Sequence, residues 1–208
     1  MTNVLALRSS ILGDASASNQ LINETIASLR AQEPTIRIIE RDLVTNPIPH
    51  FDGDAANGLR QDPLNTEQRK ARALSDALIQ EVQAADILLI GAPMYNFGIP
   101  SALKSWFDYV LRAGVTFRYS ETGPEGLLTG KSAVVVLTRG GSYSDGPASA
   151  MDAQAPHLRA LLGFVGITDQ KFVLAEKLAL GPEERKASMG LAKDKIIDAF
   201  QIALAERV

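Results

Sequence analysis

A chain of 208 residues, 46% hydrophobic and 22% charged, has the length and composition of one folded domain rather than of a disordered segment. Its formal charge of −3, with lysines and arginines scattered, excludes a basic face able to bind nucleic acid through counterion release. Without a single cysteine it can hold no disulfide, thiolate-bound metal or cysteine nucleophile, so any redox chemistry must come from a bound cofactor.

The first apolar run, residues 4–7, predicts a strand and is too short for a secretory core. No segment reaches the roughly 20 apolar residues of a membrane span, and a cytoplasmic location is expected. Leu21, Ile22, Ile26 and Leu29 share one face of a first helix, and a strand follows at 36–39. From 43 to 66 periodicity is poor and Pro47, Pro49, Gly53, Gly58 and Pro63 intervene. Loops beyond about 12 to 15 residues are usually functional or disordered, so a lid or a partner-contacting arm is expected there. Leu74, Leu78, Ile79 and Val82 give a second helical face, ahead of a strand at 87–90. A third helix begins near Pro100 and carries Leu103, Trp106, Phe107, Val110 and Leu111, with Trp106 and Phe107 read as core or subunit contact. A strand at 133–137, a fourth helix around 156–162 ending near Gly163, a strand at 171–175 and a final helix over 182–205 complete the series. Five strands alternating strictly with five helices predict an α/β doubly wound parallel sheet of order 2-1-3-4-5, with its binding crevice beside the first and third strands. No repeat or linker divides the chain, so residues 1–208 are expected to form a single domain.

Two groups of residues fall at that crevice. Ser9, Ser10, Ser16 and Ser18 follow the first strand, with Asn19 opening the first helix, and a helix start rich in hydroxyls suits a phosphate. Hydrogen bonds to a charged group contribute roughly 1.5–3 kcal/mol each, so three or four would support about micromolar binding. Ser16 or Ser18 acting only as a helix cap is the alternative reading. The loop has one glycine, Gly13, where a dinucleotide turn needs three, which favours a monophosphate ligand. The second group is Ala92-Pro93-Met94-Tyr95-Asn96-Phe97 after the third strand, with Thr138-Arg139-Gly140-Gly141 after the fourth. Glycines let backbone N–H groups approach a ring closely, and Asn96 can both donate and accept, which matches the donor and acceptor rim of an isoalloxazine. The alternative is that Gly140-Gly141 is only a turn and that Tyr95 and Phe97 only cover the core. His50 and His157 lack a carboxylate cluster, so no metal site is expected. Ser142 and Ser144 lack a nucleophile elbow, and Gly126 to Ser132 misses the nucleotide-binding P-loop because Glu125 stands where its first glycine belongs.

These residues, with Arg41-Asp42-Leu43, Asn46-Pro47-Ile48-Pro49, Ala113-Gly114-Val115-Thr116-Phe117-Arg118-Tyr119, Gly123-Pro124-Glu125-Gly126 and Asp145-Gly146-Pro147, resemble the FMN-dependent NADH-azoreductase family within the flavodoxin-like NAD(P)H:quinone reductases. The resemblance implies a flavodoxin-like fold holding one tightly bound FMN per subunit of a homodimer, with the sites at the interface. It implies that Ser10, Ser16, Ala17 and Ser18 hold the phosphate, and that Met94, Tyr95, Asn96, Phe97, Thr138, Arg139, Gly140 and Gly141 hold the ring. It further implies that Arg60, Tyr119 and Phe164 line the substrate pocket above the flavin. NADH or NADPH would reduce the flavin and a quinone or azo compound would reoxidise it in a ping-pong cycle. No catalytic acid or base is assigned; solvent or Tyr119 is left to deliver protons. Thr138 replaces the serine of many relatives and keeps the hydroxyl, while Gly98 and Pro100 depart from some relatives at the pocket floor. The competing reading is a flavodoxin-type electron carrier with no substrate of its own, which needs a more acidic surface than −3 provides. A response-regulator receiver is excluded, because Arg8-Ser9-Ser10 and Ala92-Pro93-Met94 stand where its acidic residues would be.

Overall fold

Apolar strands separated by amphipathic helices assemble here into a sheet whose strand tips converge along one edge. In this computed structural model, residues 2–205 are described; Met1 and residues 206–208, which the expected 1–208 domain includes, lie outside the described residues. In chain order the elements are β1 (Asn3–Arg8), α1 (Ala17–Gln32), β2 (Arg37–Asp42), α2 (Gly53–Arg60), α3 (Thr66–Ala84), β3 (Ile87–Pro93) and α4 (Ser101–Val110). They continue as β4 (Phe117–Ser120), β5 (Gly123–Gly126), β6 (Ser132–Thr138), α5 (Ala155–Phe164), β7 (Asp169–Ala175) and α6 (Pro182–Ala205). The main sheet runs β2-β1-β3-β6-β7, parallel throughout, which is the expected 2-1-3-4-5 order once the β4-β5 hairpin is set aside.

The sheet is parallel because its strands can be buried on both faces. Every residue of β3 and β6 is buried. Leu5, Leu7, Leu88, Ile90, Val135 and Leu137 serve one core, filled out by Leu78 and Val82 of α3, Trp106 and Phe107 of α4, and Leu158 and Leu162 of α5. The alternate positions Val4, Ala6, Ile87, Leu89, Val134 and Val136 serve the other, against Leu21, Ile22 and Ile26 of α1 and Ile196 and Phe200 of α6. At about 1.5–3 kcal/mol for each fully buried large apolar side chain, these two layers are the main stabilising term. Trp106 and Phe107 are each 1% exposed, which puts them in the core. Among the described residues no helix is long and apolar enough to cross a membrane.

Three expectations need correction. The 43–66 stretch is not structureless, because α2 occupies Gly53–Arg60. Asp52 caps it, accepting from Ala55 N–H at 2.8 Å. Its buried face is only Ala55, Gly58 and Leu59, too weakly apolar to show as a periodicity. A Cβ on Gly58 would lie 2.6 Å from the Gln68 carbonyl oxygen, so the glycine is what lets α2 lie against α3. Strict alternation also fails at the antiparallel β4-β5 hairpin, whose strands are only four residues long and whose second strand, Gly123-Pro124-Glu125-Gly126, gives little strand signal. The edge strands β2 and β7 run longer than the apolar runs at 36–39 and 171–175, since their ends are polar.

Candidate functional site

From β1 the chain crosses to β2 on one side and returns to β3 on the other, so a crevice opens between the carboxyl ends of β1 and β3. Ser16 is the N-cap of α1, its hydroxyl accepting from Asn19 N–H at 3.2 Å and lying 3.0 Å from the Ser18 hydroxyl. Capping and ligand binding are compatible here, because Ala17 and Ser18 precede the first helical bond, Gln20 N–H to the Ser16 carbonyl, and their N–H groups donate to no acceptor among the described residues. Ser9 is different: its buried hydroxyl donates to the Gly91 carbonyl at 2.6 Å and so ties β1 to β3.

After β3 the chain makes a tight turn. Tyr95 and Gly98 exchange both backbone hydrogen bonds at 3.1 Å, and Asn96 and Phe97 have φ of 47° and 71°. Two consecutive left-handed residues define a type I′ turn. For a phenylalanine that conformation costs roughly 1–2 kcal/mol, strain of the kind that collects at functional sites. The turn presents Phe97 43% exposed and Asn96 to solvent. Tyr95 points back, its hydroxyl 3.0 Å from the Ser10 hydroxyl and accepting from Ile11 N–H at 3.1 Å. The serine loop and the β3 turn are thus one bonded unit.

Arg139 holds the other tip in place. Its guanidinium, 1% exposed, donates to Gln154 Oε1 at 2.9 Å, Glu176 Oε1 at 2.9 Å and Asp152 Oδ2 at 2.8 Å. Gln154 in turn donates from Nε2 to the Ala92 carbonyl at 2.8 Å, and Ala153 N–H to the Phe97 carbonyl at 3.0 Å. Glu176 also accepts from Tyr143 N–H at 2.9 Å and the Ser144 hydroxyl at 2.5 Å. One buried cation therefore fastens the ends of β3, β6 and β7 together. The Arg139 side chain faces away from the crevice; what its segment offers a ligand is backbone. The Gly140 and Gly141 carbonyls accept from Ala179 and Lys177 at 3.0 and 2.9 Å, and their own N–H groups donate to no acceptor among the described residues.

Two adjoining clefts result. One, about 230 Å³, runs from Ser10, Ser16 and Ala17 to Met94, Tyr95, Thr138 and Gly140. The other, about 210 Å³, is bounded by Met94, Asn96, Phe97, Gly140, Gly141 and Tyr143, and shares Met94 and Gly140 with the first. A Cβ at Gly141 would lie 3.2 Å from the Tyr143 ring, so a side chain there would crowd the second cleft. Hydroxyls and free N–H groups at one end, with glycine N–H groups and an aromatic wall at the other, fit a phosphorylated flat ring such as FMN. The Ser18 hydroxyl, fully buried, bonds to that of Ser16, so Ser18 offers the cleft its backbone N–H and not its side chain. Tyr143, Gln154, Leu178, Ala179 and Arg185 are participants that the sequence did not mark; only Tyr143, two residues past Gly141, carried a positional hint.

The three residues expected over the flavin lie elsewhere in the subunit. Arg60 and Tyr119 line a separate cavity of about 440 Å³ with Phe51, Leu59, Asp108, Leu111, Arg112, Ala113 and Phe117, sharing no lining residue with either cleft. Phe164 stands behind it, its ring 4.6 Å from that of Phe117, which is 5.7 Å from Tyr119.

Residues 2–199 match the family model described as flavodoxin-like fold. The chain belongs to that family. This flavodoxin-like chain is 51% identical to the FMN-dependent NADH:quinone oxidoreductase of Hyphomonas neptunium (strain ATCC 15444), covering 97% of each chain. It is 50% identical to the FMN-dependent NADH:quinone oxidoreductase of Escherichia coli (strain K12), covering 96% of this chain and all of the relative. Among solved structures, azoreductase from Bacillus anthracis str. Sterne superposes with a TM-score of 0.88 at 29% identity, over 98% of this chain and 99% of that one.

Proposed function

We propose that the chain is a cytoplasmic FMN-dependent oxidoreductase, one domain per subunit of a homodimer, that oxidises NADH or NADPH and reduces quinones and azo compounds. The observation that carries this reading is the joining of the serine loop, the Tyr95–Gly98 turn and the Gly140–Gly141 backbone into adjoining clefts. Its likeness to FMN-dependent NADH:quinone oxidoreductases over nearly the whole chain supports the same cofactor and donor. When bound, FMN supplies the chemistry: a hydride taken from the reduced nicotinamide and two electrons given to the acceptor, twice over for an azo bond cleaved to two amines. The protein's part is binding and orientation. Ser10, Ser16 and the N–H groups of Ala17 and Ser18 hold the phosphate, while Asn96 and the N–H groups of Gly140 and Gly141 meet the ring's polar rim. Met94, Phe97 and Tyr143 exclude water from it.

The cavity of Arg60 and Tyr119 fits this reading as half of a substrate pocket, completed when a second subunit carries it over the cleft of the first. Tyr119 is 74% exposed in the single subunit, which leaves it free to make such a contact. The test is the visible spectrum of the purified protein, mass analysis of released ligand, and NADH oxidation with menadione. Yellow protein, released FMN and rapid turnover are expected. Colourless protein that takes up no added FMN would remove the reading, and FMN binding without NADH-dependent menadione reduction would favour an electron carrier.

A further inference from the structure

Resting on the FMN reading, we infer that Arg185, in the first turn of α6, is a phosphate-binding residue that makes this chain select FMN over riboflavin. Arg185 lines the same cleft as Ser10, Ser16 and Ala17. Arg139 and Arg185 are the charged residues among the described ones on that lining, with no carboxylate beside them, and only Arg185 has its side chain available to a ligand. Arg139 is fully committed to Asp152, Glu176 and Gln154. Arg8, at the end of β1, is likewise taken up by Glu40 at 2.7 Å and the Asn19 carbonyl at 3.4 Å. The half-buried Arg185 guanidinium makes no hydrogen bond or ion pair among the described residues. Its backbone N–H donates to the Gly181 carbonyl at 3.0 Å, so the main chain is held by the helix while the guanidinium stays free to meet a ligand.

Its position in the helix is also informative. A cation in the first turn stands against the helix dipole, which favours the acidic Glu183 and Glu184 beside it, so local helix energetics do not explain an arginine there. An anion in the cleft does. The serine loop supplies neutral donors only, and a phosphate dianion among neutral donors gains most from one added guanidinium, whose planar fork can bond two of its oxygens. Because α1 and α6 cover the same face of the sheet, the first turns of both helices reach this cleft from one side.

The experiment compares FMN and riboflavin binding to flavin-free full-length protein by fluorescence quenching, for wild type, R185Q, R185K and K186Q. Lys186 is exposed on the same turn and does not line the cleft, so K186Q controls for the overall change in charge. R185Q should weaken FMN about ten- to a hundredfold, the loss of a charge-assisted hydrogen bond, and leave riboflavin affinity unchanged. R185K should recover part of the loss, K186Q should match wild type, and the salt dependence of FMN binding should be shallower in R185Q. Unchanged FMN affinity in R185Q, or equal losses for both flavins, would overturn the inference while leaving the FMN reading intact. Wild-type protein that binds neither flavin would remove both.

Discussion

Replacing Arg139 with leucine tests whether the strand tips are held by a buried charge. The substitution leaves the Asp152 and Glu176 carboxylates, 15% and 11% exposed, without their cation, and Gln154 Oε1 without its donor. Removing one partner of a buried ion pair typically costs about 3–5 kcal/mol, because the remaining charge stays desolvated. In a domain of this size 1 kcal/mol shifts Tm by about 2–4 °C, so R139L should melt about 6–20 °C below wild type by differential scanning calorimetry of the flavin-free protein. R139K should fall between them, since an ammonium keeps the charge but not the fork that meets three acceptors. FMN affinity should fall in parallel, because the Gly140–Gly141 backbone and the Tyr95–Gly98 turn lose their common anchor. A Tm within about 3 °C of wild type would refute the reasoning. It would be refuted more pointedly by unchanged Tm with FMN binding lost, which would mean that the side chain acts on the ligand.

Tyr95→Phe removes the hydroxyl that meets Ser10 and Ile11 N–H, bonds of about 0.5–1.5 kcal/mol each. Amide exchange at Ile11 should accelerate about two- to tenfold and FMN should bind more weakly; unchanged exchange would show that the serine loop is ordered by other contacts. Gly126→Ala would put a Cβ 2.1 Å from Gly166 N and 2.3 Å from the Val165 carbonyl carbon, both backbone atoms that cannot swing aside. The β4-β5 hairpin should lift from the end of α5 at a cost of about 1–3 kcal/mol, seen as faster limited proteolysis near Tyr119 and a lower Tm. Wild-type proteolysis rates would contradict that packing.

What the sequence determined by itself was whatever depends on short-range pattern. Apolar runs such as 87–90 and 133–137 define buried strands, and the faces through Leu21, Leu78 and Leu103 define the helices that cover them. Their alternation allows few topologies other than the doubly wound sheet. The serine loop, the Tyr95-Asn96-Phe97 turn and the paired glycines were legible for the same reason, each being a contiguous stretch with special backbone needs. The tertiary structure decided what depends on distant partners. Arg139 looks like a ligand contact beside Gly140, yet its guanidinium is turned inward because Asp152 and Glu176 converge on it from separate segments. Arg185 looks like one more helix cation, and only the docking of α6 brings it to the cleft. Arg60 and Tyr119 share a cavity that has no lining residue in common with the serine-loop cleft, since chain folding sets which surfaces meet and spacing along a sequence does not.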